Sequence, residues 1–287
     1  MAQQPTNWPL KVYRENVMTE TRVRDYYTDH LRKEWRRLAQ DAYHQLEFQT
    51  TLHFLEKHLP RKGLILDAGG GPGRYTVELA RRGYEVVLLD MTLANLEFAR
   101  RQIKRAKLQD RVIKIAEGSI VDLSQFADNS FDATLCLGGP LSHVLDAAKR
   151  EKAISELIRV TKKGAPLVVS VIGRLALLVV ELTLFQYEIE MPHFVQIRDT
   201  GDYGGDYGFT TCHFFLPEEL RAAFSDRGVT VVDMAGLEGI SSGHPKQVNQ
   251  LAKDEKRWKI WLETHYRTCT HPSAVGMSEH IMIVCKS

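Results

Sequence analysis

Residues 64–75 read LILDAGGGPGRY and combine three features that a single polar ligand can use. A short apolar run ends in an acid, Asp67. Gly69, Gly70, Gly71 and Gly73 follow, and a helical pattern starts at Arg74. Glycines permit a tight turn and let a ligand approach the backbone closely. The helix start adds N–H groups that have no partner within the helix. A second acid, Asp90, closes the apolar run VVLLD and is followed by Met91. A carboxylate at that strand end can accept hydrogen bonds from both vicinal hydroxyls of a ribose. The dinucleotide fingerprint G-x-G-x-x-G fails here, because Arg74 stands at its third glycine position.

Two further segments follow in order. Residues 116–124, AEGSIVDLS, follow a third apolar run, and residues 131–144, FDATLCLGGPLSHV, hold a fourth run and a glycine loop. Together the four segments resemble the motifs of the class I S-adenosylmethionine (SAM)-dependent methyltransferases, over about residues 64–172. The resemblance implies that SAM is bound and S-adenosylhomocysteine released. It implies that Asp67 helps place the methionine amino group. Gly69, Gly70, Gly71 and Gly73 would make room for the cofactor, and Asp90 and Met91 would meet the ribose. Ser119 and Ile120 would lie along the adenine, with Asp122 as an alternative partner for its exocyclic amine. Leu137 and the loop after it would lie beside the sulfonium. The alternatives kept open are an RNA or protein methyltransferase, an NAD-dependent oxidoreductase and a SAM-binding protein without transferase activity.

Methyl transfer is an in-line displacement, so the family imposes no single catalytic residue; a base is needed only where the acceptor must lose a proton. His143 is the candidate base, since it follows the fourth strand and histidine titrates near neutral pH without help; the plain alternative is a helix-start histidine bonded to backbone. Tyr27 and Trp35, in the N-terminal segment, either cover the sulfonium side as part of a lid or pack on the sheet. Tyr207 and His213 either reach the pocket mouth or sit at a sheet edge. Residues 201–208, GDYGGDYG, read as a mobile cover or as a hairpin turn. The apolar stretch 174–190 reads as a pocket wall, a core helix or a homodimer face. The loop after the fourth strand lacks the N-P-P-[FY] run of exocyclic-amine methylation and the Pro-Cys of cytosine C5 chemistry, so the expected acceptor is a small molecule.

The elements that must hold these residues follow from periodicity. Residues 19–39 and 41–59 read as two helices, the second with Phe48, Leu52, Leu55 and Leu59 on one face. From residue 64 onward short apolar runs alternate with helical patterns, which predicts an α/β fold: a doubly wound, mostly parallel seven-stranded sheet with an N-terminal helical cap. The expected division is a cap or lid over residues 1–60 and a SAM-binding domain over residues 61–287, with insertions at 174–212 and 238–279. Across the 287 residues, 38 Lys and Arg nearly balance 36 Asp and Glu, so net charge argues against nucleic acid as a partner. The basic cluster on residues 100–107 reads as a solvated helix face. Arg174 and Glu181 interrupt the most apolar stretch, so no membrane span is expected. Lys11, Arg14 and Glu15 stand where a leader would be apolar. The four cysteines form no C-x-x-C pair, so no metal is expected and a reduced, cytoplasmic setting is.

Overall fold

The structure, a computed structural model, describes the backbone of residues 8–287 and the side chains from residue 19 onward. The first seven residues of the expected cap, and the side chains of Lys11, Arg14 and Glu15, lie outside the described residues. The chain opens with three helices: α1 (Trp8–Asp29), α2 (Leu31–Arg37) and α3 (Ala42–His58). The sequence pattern joined the first two, but the helix breaks at His30. There φ is −100° and ψ 9°, and the imidazole Nδ1 turns back to the Tyr26 carbonyl at 2.8 Å. Helix α3 starts where Asp41 accepts the backbone N–H of His44, a standard N-cap.

The alternating part then follows: β1 (Leu64–Ala68), α4 (Arg74–Arg81), β2 (Glu85–Asp90), α5 (Leu93–Arg105), β3 (Val112–Glu117), β4 (Ala133–Cys136), α6 (Ala147–Val160) and β5 (Pro166–Ile172). Next come α7 (Arg174–Leu184), α8 (Pro192–Thr200), β6 (Asp202–Tyr203), β7 (Cys212–His213), α9 (Pro217–Ser225) and β8 (Thr230–Gly236). The chain closes with α10 (Pro245–Leu251), α11 (Glu255–Thr268), α12 (Pro272–Gly276) and β9 (His280–Lys286). Seven strands form one sheet in the order β3-β2-β1-β4-β5-β9-β8, and β6 and β7 form a separate hairpin. Pairs within β3-β2-β1-β4-β5 are parallel, with Asp67 opposite Leu88 on one side and Leu135 on the other. Strand β9 runs antiparallel between β5 and β8.

Successive strand residues point to opposite faces, and the core divides accordingly. Leu66, Val87, Val169 and Ile283 pack with α6 and α9, whereas Ile65, Leu88, Leu135 and Met282 pack with α3, α4 and α5. The chain order reverses at β1, with β2 on one side and β4 on the other. Ligands of open α/β sheets bind at the strand carboxyl ends at such a switch point.

The later segments differ from their expected form. Residues 174–190 do not make one helix. Phe185 leaves helical geometry (φ −128°, ψ 41°), and Pro192, which has no N–H to continue a helix, opens α8 instead. Arg174, expected only to interrupt an apolar run, is buried and bonds Glu219 at 3.0 Å. Residues 201–208 belong to the β6–β7 hairpin, where Asp202 pairs with His213. Among the described residues, no helix is long and apolar enough to cross a membrane.

Candidate functional site

The glycine loop between β1 and α4 is pinned to the end of β2. Gly69 and Gly70 both donate backbone N–H bonds to the Leu89 carbonyl, at 2.7 and 3.1 Å. Gly69 has φ +75°, and a Cβ there would lie 2.6 Å from Pro140 of the β4 loop. A Cβ on Gly70 would lie 2.5 Å from the Asp67 carboxylate. The loop is therefore glycine for close approach on both sides. Gly71 donates its N–H to Asp90 Oδ2 at 2.9 Å. Asp90 Oδ1 accepts the Thr92 N–H at 2.8 Å and Asn95 Nδ2 at 3.2 Å. Burial pushes the Asp90 carboxyl up, and these bonds pull it back.

Above this loop lies a cleft at the carboxyl ends of β1 to β4, with about 1150 Å³ of empty space counting its open mouth. Gly69, Gly70, Gly71, Asp90 and Met91 form its floor, and Ser119, Ile120 and Leu137 form its sides. The β4 loop is held by two hydroxyls: Gly138 N–H donates to Ser170 Oγ at 2.8 Å, and Ile172 N–H to Ser142 Oγ at 3.0 Å. Asp67 and Gly73 are not on the wall. Asp67 lies beneath the loop, where Thr76 Oγ1 donates to its Oδ2 at 2.5 Å. Its Oδ1 is buried without a partner, as is Asn95 Oδ1. Burial pushes the Asp67 carboxyl up to about 6, with the nearby Asp90 charge adding to the rise. Gly73 is the N-cap of α4, with φ 84°. Asp122 is exposed and accepts the Ser124 N–H at 3.0 Å. The structure thus turns Asp122 away from the cleft, because a local Asx turn claims its carboxylate.

The roof of the cleft comes from α1 and α2 and includes Val23, Tyr27, Glu34, Arg37 and Leu38. His143, in a short 3₁₀ turn (Pro140–His143), faces them. Its Nδ1 lies 2.9 Å from the Thr211 carbonyl and its Nε2 lies 2.6 Å from the Tyr27 hydroxyl. A carbonyl only accepts, so Nδ1 carries the proton and Nε2 accepts from Tyr27 in the neutral ring. Burial lowers the His143 pKa, which favours that neutral form.

The other three expected side chains stand off the cleft. Trp35 lies under the Arg74 guanidinium, 3.9 Å from its ring centre, and so orients a residue that does line the cleft. Tyr207 is 57% exposed at the hairpin tip. His213 is buried between Asp202 (2.6 Å) and Glu219 (2.5 Å), which clamps the hairpin to α9. No described residue of α7 or of 238–279 lines the cleft. The 238–279 segment packs on α3 instead, with Thr50 and His265 bonded at 2.8 Å.

Arg37, Glu34, Asn95 and the Glu20–Lys149 ion pair (2.8 Å) line the cleft without having been singled out from sequence. Of these, Asn95 carried a signal, five residues beyond Asp90 at a helix start. Arg37 sits in the run RKEWRR, where nothing in the sequence separates it from Arg36. Arg37 bonds both Glu34 and Glu47. Behind it, Glu47, Glu238 and His280 place ligand-type atoms within 4.8 Å of one another. Their partners are internal: Arg37 holds Glu47, while Ser278 and His280 hold Glu238. The cluster reads as an ion-pair network joining α3 to β9.

Residues 65–164 match the family model for a methyltransferase domain. The chain is 24% identical over 155 residues to the glycine/sarcosine N-methyltransferase of Parasynechococcus marenigrum (strain WH8102), covering 54% of this chain and 53% of that one. It is 31% identical over 138 residues to the demethylmenaquinone methyltransferase of Renibacterium salmoninarum, covering 48% and 47%. The chain thus spans about half the length of these curated relatives. In fold it is similar to the Burkholderia thailandensis 1,6-didemethyltoxoflavin-N1-methyltransferase, with a TM-score of 0.58 and 15% identity over 100% of this chain and 93% of the other. The four motif segments, the sheet order and the family match thus agree on a methyltransferase domain over residues 65–164, within a chain that has the Rossmann-like methyltransferase fold.

Proposed function

We propose that the protein transfers the methyl group of SAM to a small-molecule acceptor. The observation that carries this reading is the cleft over β1 to β4, walled by residues from all four motif segments. The residues fit the cofactor, because Asn95, which lines the cleft, has a buried acceptor atom, Oδ1, without a partner. Such atoms are costly to leave unpaired, and the ammonium and ribose hydroxyls of SAM are donors. In this reading Asp90 and Asn95 hold the ribose, Gly69 to Gly71 face the methionine part, and Ser119, Ile120 and Leu137 flank the adenine. When bound, SAM supplies an electrophilic methyl group on a sulfonium. Residues 19–38 cap the site and exclude water, and residues 61–287 form the SAM-binding domain. A small acceptor is supported by this roof over the cleft and by the names of the relatives, which act on small molecules.

The finer points are part of the same reading. The four cysteines are free and buried, which supports a reducing, cytoplasmic setting. What supports a homodimer is the outer face of α7, where Leu175, Val179 and Leu182 are exposed. Light scattering after size exclusion reads that state directly. The acceptor class is tested by incubating the protein with SAM labelled in its methyl group and, separately, a filtered metabolite extract, total RNA and total protein. Enzyme-dependent label in the metabolite fraction is expected. Label in RNA or protein, with none in metabolites, would overturn the small-molecule reading.

A further inference from the structure

The acceptor end of the cleft carries information beyond the cofactor. Two ion pairs stand there, Glu20 with Lys149 at 2.8 Å and Glu34 with Arg37 at 2.9 Å, while Arg74 stacks on Trp35 and donates to its carbonyl. Arg37 also holds Glu47, and Asp146 is engaged as the N-cap of α6. A charged acceptor set against either pair would compete with it, and breaking the partly buried Glu34–Arg37 pair would leave an uncompensated charge. Much of the remaining wall is apolar, with Val23, Leu38, Pro140, Val144 and Leu145. Against that wall stands one polar relay, Tyr27 Oη to His143 Nε2 at 2.6 Å, backed by His143 Nδ1–H on the Thr211 carbonyl at 2.9 Å. Tyr27 and Phe209 pack against the ring, with centroids 5.3 and 5.6 Å from its own.

We infer that the acceptor is a neutral small molecule presenting an acidic hydroxyl, a phenol or enol, and that Tyr27 and His143 deprotonate it as a relay. This rests on the methyltransferase reading above. In the step, the acceptor oxygen forms a bond to the methyl carbon, and the carbon–sulfur bond breaks with its electron pair on sulfur. The acceptor's proton passes to Tyr27 Oη as the tyrosine's own proton passes to His143 Nε2. The resulting imidazolium then releases a proton to solvent. The Thr211 carbonyl stabilises the Nδ1–H throughout, as an orienting partner does for other catalytic histidines.

The test uses the full chain with catechol as the neutral hydroxyl probe, sarcosine as the zwitterionic probe and phenethylamine as the cationic probe. S-adenosylhomocysteine binding is measured alongside by calorimetry. Methyl transfer to catechol is expected, in preference to the other two. His143→Gln and Tyr27→Phe are each expected to lower kcat on the order of 10²-fold or more, with homocysteine-product affinity unchanged within about threefold. Nitrogen NMR of the imidazoles is expected to show His143 as the neutral Nδ1–H tautomer, with a Nε2 signal that moves in Tyr27→Phe. Preference for sarcosine or phenethylamine would overturn the acceptor class, as would transfer to none of the three by protein that binds S-adenosylhomocysteine. Full activity of either variant, or a doubly protonated His143 at neutral pH, would overturn the relay. Failure of the wild type to bind S-adenosylhomocysteine would instead remove the methyltransferase reading itself.

Discussion

Asp67 and Asp90 end adjacent parallel strands, yet their carboxylates do different work. Asp90 opens onto the cleft with three N–H donors already in place. Replacing it with alanine is expected to weaken S-adenosylhomocysteine binding by roughly ten- to a hundredfold, the range for losing one or two hydrogen bonds to a charged group. Asp67 is buried beneath the loop with its pKa raised to about 6. The raised value means that its charge destabilises the empty fold above about pH 6 and ceases to do so as the pH falls toward 3.8. Asp67→Asn is therefore expected to raise the melting temperature of the empty protein at pH 7.5, with the gain fading toward pH 5. Equal melting curves for variant and wild type at pH 7.5 would contradict this assignment. Both acids were legible in the sequence because each ends an apolar run before a turn. That Asp67 lies under the loop was not legible, since burial beneath Gly70 depends on how the turn folds back. His143 was visible by position, but its carbonyl partner at Thr211 is 68 residues away.

At the scale of elements, local signals held where one physical cause dominated. Strands β1, β2, β4 and β5 appeared as short apolar runs because a parallel sheet covered on both faces buries both sides of its inner strands. Helix breaks were read less well. The pattern over 19–39 stays helical through His30, and only the imidazole's bond to the Tyr26 carbonyl and its stacking on Tyr26 mark the break. The glycine loop is the element most sensitive to one added carbon. Gly70→Ala would press Cβ onto Asp67 and Leu88, and is expected to cost about 1–3 kcal/mol by overpacking and to abolish S-adenosylhomocysteine binding. Stability within about 0.5 kcal/mol of the wild type, with binding kept, would show that the loop tolerates the contact. The β6–β7 hairpin depends on His213. Its two carboxylates raise its pKa against the opposing effect of burial. The clamp's contribution is therefore fully present below the unfolded histidine pKa and is lost as the pH rises through the folded value. His213→Gln is expected to lower the melting temperature more at pH 6 than at pH 9.

Across the whole molecule, the sheet reverses direction of growth at β1, and residues of α1 and α2 line the cleft at that reversal. A chain of charges ties α2 to α3 and β9: Glu34 and Glu47 on Arg37, then His280 and Glu238. Burial alone would lower the His280 pKa, but Glu47 and Glu238 raise it to about 9. Its stabilisation is present below about pH 6.5 and is lost as the pH rises through 9. Against wild type, His280→Asn is expected to show a deficit on the order of 3 kcal/mol near pH 6, shrinking as the pH passes 9. None of this network was legible, because its members lie far apart in sequence, on α2, α3, β9 and the turn after β8, and each residue taken alone reads as an ordinary surface charge. The doubly wound, mostly parallel seven-stranded sheet, by contrast, was legible in the alternation of strands and helices. The most direct measurement is calorimetric titration of the full chain with S-adenosylhomocysteine, using NAD as comparator and Asp90→Ala as control. Micromolar binding of S-adenosylhomocysteine, weakened in the variant and absent for NAD, is the expected result. A wild type that binds no S-adenosylhomocysteine, or binds NAD in its place, would contradict the cofactor reading on which the proposed function stands.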